Sequence, residues 1–95
     1  MLHIVNKSPL EKSTLDAVLR LAASGTLLLI EDAIYAAIKA GKASAMLAGK
    51  NVSVLGPDLA ARGIGEDKLV EGVSIIDYAG FVDLVEANDK VQSWL

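Results

Sequence analysis

Ninety-five residues with no cysteine and a single histidine make one small domain, residues 1–95, and leave no length for a second. Twelve Asp and Glu against 9 Lys and Arg give a net charge of −3, which repels a phosphate backbone and excludes a nucleic-acid grip, while the missing thiol excludes disulfides, thiolate metal sites and any persulfide held on this chain. Hydrophobic residues reach 53% and mean hydropathy is +0.44, yet the apolar runs fall well short of the roughly 20 residues of a membrane span, so a soluble cytoplasmic protein is expected, with enough surplus apolar surface to form an oligomer.

Met1-Leu2-His3-Ile4-Val5 lacks the charged start and long apolar stretch of a signal peptide and reads as a first strand, Leu2 to Val5, broken by Asn6-Lys7-Ser8-Pro9. Leu15, Val18, Leu19 and Ala22 then recur at helical spacing up to Ser24-Gly25. Leu27 to Ile30 is a second strand, apolar without interruption, as strands buried on both faces are. Ile34, Ala37 and Ile38 keep a helical period until Gly41, and Ala43 to Ala48 extend it.

Val52 to Leu55 is a third strand. Pro57 suits the first turn of the short helix that carries Leu59-Ala60-Ala61-Arg62 and stops at Gly63. Gly65 to Gly72 is polar and reads as a loop. Val73 to Ile76 is a fourth strand, followed by a helix with Tyr78, Phe81, Val82 and Val85 on one face and Asp83 and Glu86 turned to water. The tail Val91-Gln92-Ser93-Trp94-Leu95 reads as a last amphipathic turn. Alternation of strand and helix predicts an α/β domain with a mostly parallel sheet of four strands, a fifth left open, and helices on both faces.

Three of the strands run into an acid: Asp32, Asp58 and Asp77. Asp caps helices because its carboxylate accepts a free N–H of the first turn, and helix capping is the reading given to all three. The alternative gathers them into a magnesium-dependent receiver-like or phosphoryl-transfer site, since hard cations take several oxygens from neighbouring strand ends. Against it, the end of the first strand offers Asn6-Lys7 and no acid. His3 has neither a second histidine nor a nucleophile beside it and reads as a packed residue. Gly41-Lys42-Ala43-Ser44 and Gly49-Lys50-Asn51 lack the first glycine of a phosphate loop, which lies five positions before the glycine of the Gly-Lys pair. Tyr35, Tyr78 and Phe81 read as core aromatics. Trp94, with Leu95 beside it, either lies back on its own domain or anchors a partner.

In order, Leu2-His3 with Asn6-Lys7-Ser8-Pro9, Leu28-Leu29-Ile30-Glu31-Asp32 with Ile34-Tyr35-Ala36-Ala37, Val54-Leu55-Gly56-Pro57-Asp58-Leu59 with Ala61-Arg62-Gly63, Ile75-Ile76-Asp77-Tyr78 with Phe81-Val82-Asp83-Leu84, and the closing Val91-Gln92-Ser93-Trp94-Leu95 resemble the TusB/DsrH family of sulfur-relay subunits. Asn6-Lys7-Ser8-Pro9, Gly56-Pro57-Asp58 and the Gln92-Ser93-Trp94-Leu95 ending look closer to the DsrH branch, associated with sulfur oxidation, than to the TusB branch, associated with thiolation of tRNA wobble uridine. The resemblance implies a DsrE-like fold and no cofactor. It implies a cytoplasmic heterohexamer with two homologous sister subunits, one DsrE/TusD-like and one DsrF/TusC-like. It also implies a DsrC/TusE-like sulfur carrier as a further partner. Where some family members carry a cysteine in the first helix, this sequence has Val18, so the chain is expected to be a non-catalytic subunit rather than a sulfur acceptor, with Tyr35, Trp94 and Leu95 as its partner-facing residues. Whether the isolated chain forms a homo-oligomer is left open by the sequence.

Overall fold

A computed structural model describes residues 1–6, 25–38 and 51–94. The predicted first helix, the continuation of the second beyond Ile38, both lysine turns up to Lys50, and Leu95 lie outside the described residues. Five strands form one sheet: β1 (Leu2–Val5), β2 (Thr26–Leu29), β3 (Asn51–Leu55), β4 (Ser74–Ile76) and β5 (Val91–Trp94), in the order β4-β3-β2-β1-β5. Every pairing is parallel, with Ile4 opposite Leu28 on one side and Ser93 on the other. The chain is thus a small α/β domain with a five-stranded parallel sheet, the open fifth strand being real.

Strand alternation sends residues to two faces. The front face takes Val5, Leu27, Leu29, Val52 and Val54, and the back face takes Leu2, Ile4 and Leu28. Buried on both sides, these strands need no polar row: β2 runs apolar through Leu27–Leu29, and the polar interruptions, His3 in β1 and Ser53 in β3, are themselves buried.

A 3₁₀ segment, Glu31–Ala37, follows β2 and covers the front face. Ala33 stacks over Ala36 and Ile34 over Ala37 at the three-residue repeat of such a helix, and all four are buried. The small alanines let the backbone lie close to the sheet. A long α-helix starting at Ile34 is therefore corrected to a tighter coil over its described part. Ile38 then makes an antiparallel bridge to Leu69, and the Val70 N–H donates to the Ala37 carbonyl. The stretch from Gly65 to Gly72, read as plain loop, carries a 3₁₀ turn at Glu66–Lys68 and this buried leucine, which hides in a polar sequence because its partner lies some thirty positions back.

Helix α1 (Gly56–Ala61) leaves β3 without a linker, with Pro57 in its first turn where the missing N–H costs nothing. It ends as the glycine predicted: Gly63, at φ 65°, donates to the Ala60 carbonyl while Ile64 donates to that of Leu59. This double bond satisfies two orphan carbonyls and brings Ile64 onto the Leu59 cluster.

Helix α2 (Tyr78–Ala87) crosses the back face between the two edge strands. Gly80 sits where a Cβ would come within 2.9 Å of the Ile76 Cβ, so the helix starts tight against β4. Its inward residues are Phe81, Leu84 and Val85. Tyr78 and Val82, assigned to that inner face from periodicity, are exposed instead. The tail assigned to a helical turn is β5: a four-residue run shows too little period to separate strand from helix, and pairing with β1 across the whole chain decides it.

Candidate functional site

The carboxyl ends of β1, β2 and β3 deliver Asn6, Glu31 with Asp32, and Asp58 to one rim of the molecule, the position where open α/β sheets place their sites. Glu31 adopts a left-handed backbone, φ 50°, a conformation that costs a non-glycine residue about 1 kcal/mol or more. Two neighbours hold it there. The Asp58 Oδ2 accepts the Glu31 amide N–H at 2.6 Å, and the Asn6 Nδ2 donates to the Glu31 Oε2 at 3.4 Å. The oxygen of the same side-chain amide, Asn6 Oδ1, is buried and has no hydrogen-bond partner among the described residues.

One turn on from Asp58, Arg62 reaches back to the 3₁₀ segment. Its Nε and Nη2 donate to the Asp32 Oδ1 at 3.1 and 3.0 Å, and its Nη1 donates to the Asp58 carbonyl at 3.4 Å. Asp58 and Arg62 together lace α1 to the start of the 3₁₀ segment with one carboxylate–amide bond and one ion pair.

The three acids expected to cap helices have three different tasks. Asp77 is the N-cap of α2, its Oδ1 accepting the Gly80 N–H at 2.8 Å. Asp58 lies in the first turn of α1 but serves the amide that opens the neighbouring 3₁₀ segment, a cap supplied from another element. Asp32 makes no cap bond at all and pairs with Arg62. Arg62 was not singled out in the sequence, and its partner thirty residues away leaves no local signal.

Nor do the acids converge. Glu31 and Asp58 line a cavity of about 280 Å³ with Ile30, Leu55, Tyr78 and Phe81, whereas Asp77 lines a separate one of about 440 Å³ beside β4 with Pro57 and Ile75. Among the described residues no group of three His, Asp or Glu side chains is placed to hold a metal ion. The magnesium reading of Asp32, Asp58 and Asp77 is corrected accordingly: each carboxylate answers to an N–H or a guanidinium of its own.

His3 is buried on the front face and accepts a hydrogen bond at its Nδ1 from the Trp94 Nε1 at 3.2 Å, with ring centroids 6.2 Å apart. In the pleat Trp94 lies two positions beyond Gln92, the direct partner of His3, so the contact is a diagonal cross-strand pair. Burial, and after it the α-amino group of Met1, holds the His3 pKa below its usual 6.5. Trp94 therefore lies back on its own domain and ties β5 to β1. Tyr35 stands on the outside of the 3₁₀ segment, 38% exposed. No reactive sulfur, and no nucleophile paired with a base, stands at the rim among the described residues; the rim braces secondary structure.

Comparison with known proteins agrees with the fold and with the resemblance. A family model described as DsrH like protein matches residues 7–91. The Protein TusB of Erwinia tasmaniensis is 33% identical over 97 residues, covering 99% of this chain and all of that protein, and the Protein TusB of Buchnera aphidicola subsp. Baizongia pistaciae is 31% identical over 96 residues with the same coverage. The crystal structure of the ychN protein from E. coli superposes with a TM-score of 0.85 at 24% identity, over 98% of this chain and 97% of that one, and shares the fold. Both branch names occur among these matches, so they do not choose between branches.

Proposed function

The chain belongs to the DsrH family, of which TusB proteins are members, and from that premise we propose that it is a non-catalytic subunit of a sulfur-relay complex. The observation that carries the reading is the end-to-end match to TusB proteins in a sequence with no cysteine. A relay passes sulfane sulfur between thiolates, and a chain without one lends shape and contact area to sister chains that hold the sulfur. The braced rim supports this: its carboxylates are spent on amides and a guanidinium, as in a scaffold.

In this reading the complex is cytoplasmic and joins the chain to two homologous sister subunits, with a small sulfur carrier as the downstream acceptor. Among the described residues no helix is long and apolar enough to cross a membrane. Tyr35 is a contact residue in the assembly.

Co-expression of the tagged chain with one DsrE/TusD-like and one DsrF/TusC-like chain tests the proposal. The three chains are expected to elute together in equal ratio, with sulfur from labelled persulfide found only on a sister. Elution of the chain by itself, or sulfane sulfur mobilised by the purified chain alone, overturns it. Restoration of 2-thiouridine in a bacterial strain lacking TusB assigns the relay to wobble-uridine thiolation; failure beside an intact complex assigns it to oxidative sulfur metabolism, the side favoured by the Asn6-Lys7-Ser8-Pro9 and Gly56-Pro57-Asp58 segments.

A further inference from the structure

The back face of the sheet is incompletely covered by the described residues. Helix α2 crosses it without burying any residue fully, and apolar side chains remain in water on the helix: Tyr78 is 64% exposed and Val82 53%. One turn apart, these two form a stripe on one flank of α2. On the same face of the sheet Val91 of β5, opposite Leu2, is 41% exposed. Single exposed apolar residues are ordinary, but an aromatic and two valines left bare around the helix that covers a face's core mark a surface that something else completes.

The charge around the stripe says what kind of surface fits. From Asp77 to Val91 the chain carries Asp77, Asp83, Glu86 and Asp89, all exposed, against a single base, Lys90, at the β5 end away from the Tyr78–Val82 stripe in sequence. Asp83 and Glu86 lie on the outward side of α2 beside Val82. A second copy of this face would bring acids against acids, a repulsion that argues against self-pairing here. The complementary partner has an apolar centre and a rim of Lys and Arg.

We infer that the Tyr78–Val82 stripe of α2, with Asp83 and Glu86 as its rim, is the docking surface for a sister subunit that presents an apolar patch edged by basic side chains. The inference rests on the subunit reading above and adds to it the surface used and the chemistry of the partner. Tyr78 is the anchor, since a tyrosine supplies a large contact area with few rotors to freeze. The acids set orientation and association rate.

The test uses the co-expressed complex. Tyr78→Ala combined with Val82→Asn, at exposed positions that leave the fold intact by circular dichroism, is expected to cut recovery of the sisters by about tenfold or more. Asp83→Lys with Glu86→Lys is expected to slow association, and in the wild-type complex raising ionic strength from about 0.05 to 0.5 M is expected to do the same, by shortening the reach of the rim charges. Glu66→Lys with Asp67→Lys, an equal charge reversal outside α2, is the control and should recover both sisters in full. Undiminished recovery with both α2 variants overturns the docking surface while leaving the subunit reading standing. Failure of the wild-type chain to recover either sister overturns both.

Discussion

On the front face Leu29, Ile34 and Val54 are wholly excluded from solvent and pack with Val5, Leu59 and Leu69, whereas on the back face the buried set among the described residues is Leu2, Ile4 and Leu28 beneath a helix with no buried residue of its own. One sheet thus carries a dense layer and a thin one. The dense side uses small residues at a three-residue repeat, a helix fused to its strand by Pro57, and two laces from α1. Among the described residues the thin side relies on Phe81, Leu84 and Val85 of α2, with Ile30 and Ile76 beside them. The front layer thus holds most of the buried core among the described residues, while α2 on the back layer leaves Tyr78 and Val82 exposed.

Truncation in the dense layer gives the largest effect and is the first way to break this contrast. Leu29→Ala is expected to cost about 3–5 kcal/mol in urea unfolding, because its site is closed on every side and cannot collapse onto the void. Phe81→Ala, on the thin side, is expected to cost less, about 1–2 kcal/mol, since the ring packs on the back-face cluster but is only partly buried. Equal losses for the two would mean that the faces are packed alike.

Smaller changes sharpen the contrast within the front layer. Asp58→Ala removes the acceptor of the Glu31 amide and is expected to lower stability by about 1 kcal/mol. Glu31→Gly relieves the left-handed backbone and is expected to raise the thermal midpoint, by about 0.5–1 kcal/mol at that temperature; a fall would mean that the Asn6 contact outweighs the backbone term.

The smallest effect is a pH dependence. Because folding lowers the His3 pKa, the unfolded chain takes up the proton first: the stabilising contribution is complete above the unfolded value of 6.5 and is lost as pH falls below it. Denaturation midpoints followed by Trp94 fluorescence should therefore drop between about pH 6.5 and 5, ahead of the bulk of the carboxylates. His3→Gln should flatten that slope. An unchanged slope would show that the Trp94–His3 bond is not what couples β5 to protonation.

Regular packing was easy to read from residue types alone. Short, mostly apolar runs located β1 to β4 to within a residue or so, Pro57 and Gly63 bounded α1, and Asp77 marked the start of α2. What escaped depended on partners far along the chain. Val91 to Trp94 becomes a strand only by meeting Leu2 to Val5; Leu69 is buried by a bridge from Ile38; Asp32 turns from cap to ion pair because Arg62 arrives from α1. Tyr78 and Val82 satisfied the helical period, yet the layer beneath α2 is too narrow to receive them. At the rim the residue types were correct and their tasks were not, since a carboxylate's duty is set by whichever donor it meets.

The lateral neighbours of β1 are β2, made early, and β5, made some ninety residues later. During synthesis one whole edge of β1 stays without a hydrogen-bonding mate until residues 91–94 have left the ribosome, and any product cut short before them keeps that edge open to a stray strand. Closure of that edge of β1 therefore waits on the synthesis of residues 91–94, however early the rest of the sheet has formed.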